Sequence, residues 1–253
     1  MLEINKIHLG NCLDLLREID SESADICVTS PPYKDEDGYS AFLMFHCFAQ
    51  IFRILKPNSL FFLNFGHLAE FKSRPFEVCL ATTSLEFKLN DTITWIKTQF
   101  SPIQGNKRLN NVTEFIFLLY KGNMPNLDRL SIGVEYQDKS NIGRYSDKDL
   151  RCGGNVWKFG YETIQSKTQK LHNDRFPLEL PRRCIKLSGL KKGLLIEPFC
   201  GSGTSCLAAK ELGLDYIGIE INKDHYKTAC NRLELNSKNS IDNKENILNN
   251  KTI

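Results

Sequence analysis

Residues 194–220 constrain the fold more than any other stretch. Leu194-Leu-Ile-Glu197 is a short apolar run, Pro198-Phe-Cys-Gly-Ser-Gly-Thr204 a glycine turn, Ser205 to Leu212 a helical stretch and Tyr216 to Glu220 a second apolar run. A strand, helix and strand this close in sequence form a crossover unit of a parallel sheet. Gly201 and Gly203 let the backbone turn tightly and approach a ligand without a Cβ, and the helix that follows offers unpaired N–H groups. Glu220, ending the second strand, can accept both hydroxyls of a ribose. The third glycine of a dinucleotide loop is absent, and so is the GKS or GKT of a triphosphate loop. A nucleoside-type ligand is the reading that remains.

A second constraint lies 170 residues upstream. Ala24-Asp-Ile-Cys-Val28 reads as a buried strand, and Thr29-Ser-Pro-Pro-Tyr33 stops it. Pro31 and Pro32 have no N–H to continue a ladder, and Pro32 keeps Pro31 out of the helical region. Carbonyls are left free at a strand end, beside the Ser30 hydroxyl and the Tyr33 ring. An acceptor pair and a stacking face suit a flat ligand with an amino group. An ordinary proline turn after a core strand would carry the same residues.

The rest of the chain predicts an α/β fold, Rossmann-like, with a mostly parallel sheet and helices on both faces. Lys6 to Leu9 reads as a strand, Asn11 to Ile19 as a helix, and Ala41 to Leu55 as a helix with Phe42, Phe45, Phe48 and Phe52 on its apolar side, ended by Pro57-Asn58. Leu60 to Leu63, Asp91 to Lys97 and Glu114 to Tyr120 read as strands, and Phe71 to Leu80 and Leu180 to Leu187 as helices. A further helix is expected from Lys223 to about Leu235. Periodicity weakens between Lys121 and Gln169, where an insert is expected, packed on the body through Ile142, Val156, Trp157 and Phe159. The opening Met1-Leu-Glu-Ile-Asn-Lys6 is not read as a signal peptide, and no apolar run is long enough to span a bilayer.

Nine cysteines without a CxxC pair read as buried, reduced thiols of a cytoplasmic protein. The five histidines form no HExxH and no His/Cys pair, so no metal site is expected. The net charge of +3 divides unevenly: residues 97–192 carry +9 and the remainder −6. Basic charge gathered in the middle of an acidic chain suits a polyanion surface, although a solvated loop region would look alike. The candidates for DNA contact are Lys107 and Arg108 in a loop, and Arg129, Lys139, Arg144, Lys148, Arg151 and Lys158 in the insert.

Together the two loops resemble the S-adenosylmethionine-dependent DNA amino-methyltransferases, in the circularly permuted (beta) class whose catalytic motif precedes the cofactor motif. The resemblance rests on Thr29-Ser-Pro-Pro-Tyr33, Glu197-Pro-Phe-Cys-Gly-Ser-Gly-Thr-Ser205, Leu9-Gly-Asn-Cys-Leu-Asp14, Asn111-Val-Thr-Glu-Phe-Ile-Phe117 and the segment from His172 to Arg183. It implies catalytic roles for Ser30, Pro31, Pro32 and Tyr33. S-adenosylmethionine would be held by Pro198, Phe199, Cys200, Gly201, Ser202, Gly203, Thr204 and Glu220, with Asn11 and Cys12 near its adenine and Phe176 over its methionine end. Asn11 stands where the family has Asp, which implies a weaker adenine contact, and Glu220 stands where Asp is common.

Ser-Pro-Pro-Tyr resembles the tetrad of enzymes that methylate cytosine N4, whereas Asp in the first position is usual for adenine N6; some members break this correlation. The resemblance thus implies methylation of cytosine N4 in duplex DNA after base flipping, with adenine N6 as the alternative. An RNA or protein amide methyltransferase and a non-catalytic nucleic-acid-binding module are more distant alternatives. Methylation of cytosine C5 is disfavoured because no Pro-Cys dipeptide supplies its nucleophile. The organisation implied is a catalytic half (1–122), a target-recognition insert (123–170), a cofactor half (171–237) and a polar tail (238–253). A companion restriction endonuclease and a homodimer are both compatible with it.

Overall fold

The computed structural model describes residues 2–33, 41–67, 71–100, 102, 105, 107–144, 147–160 and 176–234, the side chains of 41 and 42 excepted. The expected tail (238–253) and the start of the segment His172 to Arg183 lie outside the described residues. Alternating apolar runs pair into one sheet of eight strands: β1 (Lys6–Leu9), β2 (Ala24–Thr29), β3 (Leu55–Gly66), β4 (Lys88–Lys97), β5 (Thr113–Tyr120), β6 (Val156–Phe159), β7 (Leu194–Glu197) and β8 (Asp215–Glu220). Their order is β1-β8-β7-β2-β3-β5-β4-β6. The five strands from β1 to β3 are mutually parallel, β5 runs antiparallel to β3 and β4, and β6 is parallel to β4.

Helices cover both faces, as a parallel sheet requires. They are α1 (Cys12–Leu16), α2 (Ala41–Ile54), α3 (Arg74–Thr83), α4 (Glu179–Ser188), α5 (Thr204–Glu211) and α6 (223–234). The pleat sends Ile26, Val28, Phe62, Ile116 and Leu118 into a core with residues of α4, α5 and α6. It sends Cys27, Phe61, Leu63, Phe117 and Leu119 to the other face, where α1, α2 and α3 pack. No helix among the described residues is long and apolar enough to cross a membrane.

Three expectations are corrected. The face that α2 buries is Met44, Cys47, Phe48, Ile51 and Ile54, while Phe45 and Phe52 are only half-buried. Spacing of three and four selects this mixed stripe over the aromatic one, because volume and burial, not aromaticity, decide a helix face. Pro57-Asn58 does not end that helix: α2 passes at Leu55 directly into β3. The register jumps there from Ala24 opposite Leu55 to Ile26 opposite Leu60, so proline's missing N–H falls in an irregularity, and Asn58 takes φ 64°. Finally, α3 begins at Arg74 with Pro75 in its first turn, leaving Phe71 outside.

Part of the expected insert belongs to the sheet. Residues 156–159 form β6, in which Trp157 is buried, Phe159 stacks on Trp95 with centroids 5.3 Å apart, and the Trp95 indole N–H donates to the Phe159 carbonyl at 2.9 Å. Ile142 and Val156, expected to pack, are exposed.

Candidate active site

The two loops singled out in the sequence leave the same edge of the sheet on neighbouring strands. β2 and β7 pair in parallel, Ile26 opposite Leu195 and Cys27 opposite Ile196, so their carboxyl ends emerge about 4.8 Å apart. The chain leaves β7 towards β8 and leaves β2 towards β3, in opposite directions across the sheet. A crevice opens at such a switch point.

A buried carboxylate joins the two ends. Glu197, 1% exposed, accepts hydrogen bonds from the Thr29 hydroxyl, from the Phe199 N–H at 3.2 Å and from the Ser205 hydroxyl at 2.7 Å. Ser205 Oγ also lies 3.0 Å from the Val28 carbonyl. Burial pushes the Glu197 carboxyl up to about 7, against the downward pull of these three donors. A protonated Glu197 can donate to Ser205, which then donates to Val28.

The glycine turn is tight and leaves open space on one side. Gly201 takes φ 51° with no heavy atom within 4 Å of where a Cβ would stand, which leaves open space beside the backbone. Gly203 takes φ 77°, and a Cβ there would come within 3.1 Å of the Ala229 Cβ on α6. Neither position suits a larger residue. Glu220 is fixed from both sides: Oε2 accepts from the Gly201 N–H at 2.7 Å and Oε1 from the Asn222 N–H at 2.8 Å. Each oxygen keeps lone-pair capacity for a diol. Ser202 Oγ is buried without a hydrogen-bond partner among the described residues. Thr204 is buried and accepts from Arg232 at 2.9 Å, and Pro198 and Cys200 are buried beneath the turn. Burial also raises the Cys200 thiol well above its ordinary range, as befits a packing residue.

Around this turn the other expected contacts divide. Phe176 and Phe199 are half-buried against the two cores. Asn11 spends its amide oxygen on capping α1 through the Leu13 N–H at 2.9 Å. Cys12 is fully buried, its thiol 2.9 Å from Cys47 Sγ, so it offers the cleft no side chain.

On the β2 side, Pro31 is buried and Ser30, Pro32 and Tyr33 are half-buried. Ser30 Oγ donates to the Tyr33 hydroxyl at 3.1 Å, and that hydroxyl reaches Glu114 Oε2 at 3.1 Å and Asn64 Oδ1 at 3.2 Å. Glu114 Oε1 pairs with Lys97 at 3.1 Å, and the Tyr33 ring lies on Phe65 with centroids 4.5 Å apart. In sequence, Glu114 and Glu197 stand inside motifs with no role of their own, and Lys97 only ends a strand. The available signal was charge within apolar strands, since Glu114 and Glu197 each sit beside buried hydrophobic runs.

The basic candidates lie apart from these loops in sequence and on the surface. Lys107, Arg108, Arg129, Arg144, Lys148 and Lys158 are exposed. Lys139 is engaged with Glu135 at 2.9 Å and with Asp149, and Arg151 donates to the Cys152 carbonyl at 3.3 Å.

A glycine turn and a fixed acidic residue on one strand pair, beside a proline-terminated strand, make an arrangement that suits a group-transfer enzyme with a nucleoside cofactor. Residues 24–231 match the family model described as DNA methylase, that of the N6 and N4 methyltransferases. The chain is 28% identical to the type II methyltransferase M1.MboII of Moraxella bovis, across 93% of its own length and 100% of that protein. It is also 28% identical to the type II methyltransferase M.HpaI of Haemophilus parainfluenzae, over 92% and 76%. Among solved structures, the cytosine-N4-specific PvuII DNA methyltransferase superposes with a TM-score of 0.70 at 19% identity, covering 90% of this chain and 89% of that one. The M1.HpyAVI complex with S-adenosylmethionine gives 0.64 at 21%, covering 90% and 98%.

The chain belongs to the N6/N4 DNA methylase family. It is an S-adenosylmethionine-dependent DNA amino-methyltransferase, and its sheet is mostly parallel with helices on both faces, as expected, β5 alone running against its neighbours.

Proposed function

We propose that this protein methylates the exocyclic N4 of cytosine in duplex DNA, after extruding the target base from the helix. The observation that carries the reading is Ser30: the residue that opens the catalytic tetrad is a hydroxyl at the carboxyl end of β2, next to the glycine turn. The PvuII enzyme, titled cytosine-N4-specific, adds support.

When bound, S-adenosylmethionine supplies an electrophilic methyl carbon whose former bonding pair stays on sulfur. Gly201, Gly203 and Thr204 would line its site, and Glu220 would hold its ribose. An aromatic amine is a poor nucleophile because its lone pair is delocalised into the ring. Ser30 Oγ and the Pro31 carbonyl accept hydrogen bonds from its two N–H groups, and both bonds strengthen as positive charge grows on nitrogen. Tyr33 stacks on the extruded base, worth about 1–3 kcal/mol against the few that extrusion costs. The exposed Lys107, Arg108, Arg129, Arg144, Lys148 and Lys158 meet phosphate or base edges, and the insert of residues 123–170 carries recognition. Pairing with a companion endonuclease accords with the type II names of M1.MboII and M.HpaI.

Incubation with S-adenosylmethionine and mixed-sequence duplex DNA, followed by nucleoside mass spectrometry, tests the reading. N4-methylcytosine is expected. Appearance of N6-methyladenine alone would overturn the base assignment while leaving amino-methylation intact.

A further inference from the structure

A largely buried ion pair adjoins the catalytic tetrad. Glu114 and Lys97 have side chains 11% and 12% exposed and pair at 3.1 Å, an arrangement that is costly in desolvation unless good geometry and further hydrogen bonds offset it. The local backbone is shaped to let this pair reach Tyr33. At Gly66, opposite Glu114 in the sheet, a Cβ would stand 2.8 Å from Tyr33 Cε2 and 3.1 Å from Glu114 Cδ.

The hydrogen bonds form a directed chain. Ser30 donates to the Tyr33 hydroxyl, which has two acceptors within reach: the Glu114 carboxylate at 3.1 Å and the Asn64 amide oxygen at 3.2 Å. The carboxylate is the stronger acceptor. The Asn64 amide itself donates to Glu114 Oε2 at 3.3 Å and to the Phe115 carbonyl at 3.0 Å, which fixes its orientation. With its own proton committed to Tyr33, Ser30 has only lone pairs to offer an amine.

We propose that Ser30, Tyr33 and Glu114 form a proton relay that removes the proton from the target amine as it is methylated, with Lys97 holding Glu114 in place. The inference rests on the reading that the amine sits at Ser30. As the nitrogen–carbon bond forms, the nitrogen proton moves to Ser30 Oγ, the Ser30 proton to the Tyr33 oxygen, and the Tyr33 proton to Glu114 Oε2. The products are a neutral methylated amine, unchanged Ser30 and Tyr33, and a protonated Glu114 that returns its proton to solvent between turnovers. Tyr33 thus has two functions, its ring for the base and its hydroxyl for the proton.

Tyr33→Phe and Glu114→Gln test the relay in single-turnover methyl transfer on DNA that the wild type methylates. A fluorescent base analogue at the methylated position reports extrusion, and calorimetry with S-adenosylhomocysteine reports the cofactor site. Both variants should slow transfer at least tenfold, with extrusion and cofactor-analogue affinity within twofold of wild type. Added imidazole should speed the variants and leave the wild type unchanged, and the double variant should be no slower than the slower single. Imidazole-independent rates, extrusion lost in proportion to rate, or wild-type rates in both variants would each overturn the relay. Tyr33→Phe decides the matter if Glu114→Gln does not fold. Ser30→Ala separates the two readings: if it too transfers at the wild-type rate, the placement of the amine has failed, whereas impaired Ser30→Ala beside normal Glu114→Gln rejects the relay alone.

Discussion

Thr29, at the end of β2, donates its hydroxyl hydrogen bond to Glu197, at the end of β7, and so fastens the proline-terminated strand to the strand that precedes the glycine turn across 168 residues of sequence. The bond lies beneath the crevice, in a buried layer that also holds Ser205. Any shift of one loop against the other must break it.

Glu197 should make stability depend on pH. Its folded-state value of about 7 lies above the ordinary 4.5, so between these values the folded protein keeps a proton that the unfolded chain has lost. That contribution is complete below about pH 4.5 and is lost as pH rises through 7. At about 1.4 kcal/mol per unit of difference, the loss by pH 8 is on the order of 3 kcal/mol. Glu197→Gln stays neutral throughout and can still accept from Thr29 while donating to Ser205. Urea unfolding should show wild type and variant similar near pH 5 and the variant more stable at pH 8; a constant difference across that range would contradict the buried-acid reading.

Ser30→Ala removes one acceptor from the amine without disturbing the glycine turn. Turnover should fall about 100-fold, the scale of losing one hydrogen bond that strengthens in a transition state. Affinity for S-adenosylhomocysteine should stay within twofold. Parallel loss of both in calorimetry and kinetics would mean that Ser30 supports the loop instead.

Gly203→Ala places a Cβ at φ 77° and 3.1 Å from Ala229, so α5 and α6 must part slightly or the turn must change shape. A cost of about 1–2 kcal/mol in stability is expected from the left-handed conformation alone. Cofactor affinity should drop with it if this turn embraces the ligand as proposed. Unchanged melting temperature and affinity would show that the close approach is tolerated.

Trp157→Ala tests whether β6 is a structural part of the sheet. Trp157 is buried against a core that includes Trp95, and Arg183 lies 5.8 Å over its ring. Truncation should cost about 3–5 kcal/mol. A loss under 1 kcal/mol in chemical unfolding would mean that this edge strand is only loosely attached.

The order of elements was legible because apolar runs, glycines and prolines act locally. The run ended by Pro31 and Pro32, the turn of Gly201 and Gly203, and the acid at Glu220 each announced a strand end or a ligand position within a few residues. The buried stripe of α2 was harder, since overlapping aromatic and aliphatic spacings both fit a helix. The course of Pro57-Asn58 was hidden as well, because a proline ending a helix and a proline in a strand irregularity look the same in sequence. The relay partners were less visible still: nothing in a linear reading brings Lys97 and Glu114 to Tyr33.

By itself the sequence determined the α/β plan, the glycine turn and the proline-terminated loop, since proline locks its own φ and removes a donor, while glycine readily admits the left-handed backbone of a tight turn. Only the tertiary structure decided that the two loops share one crevice, that Glu197 is buried between them, and that Ser30 connects through Tyr33 to Glu114 and Lys97. Those facts depend on which strands become neighbours. Strand order follows from burying both faces of the whole sheet at once, a sum over distant residues that no local pattern contains.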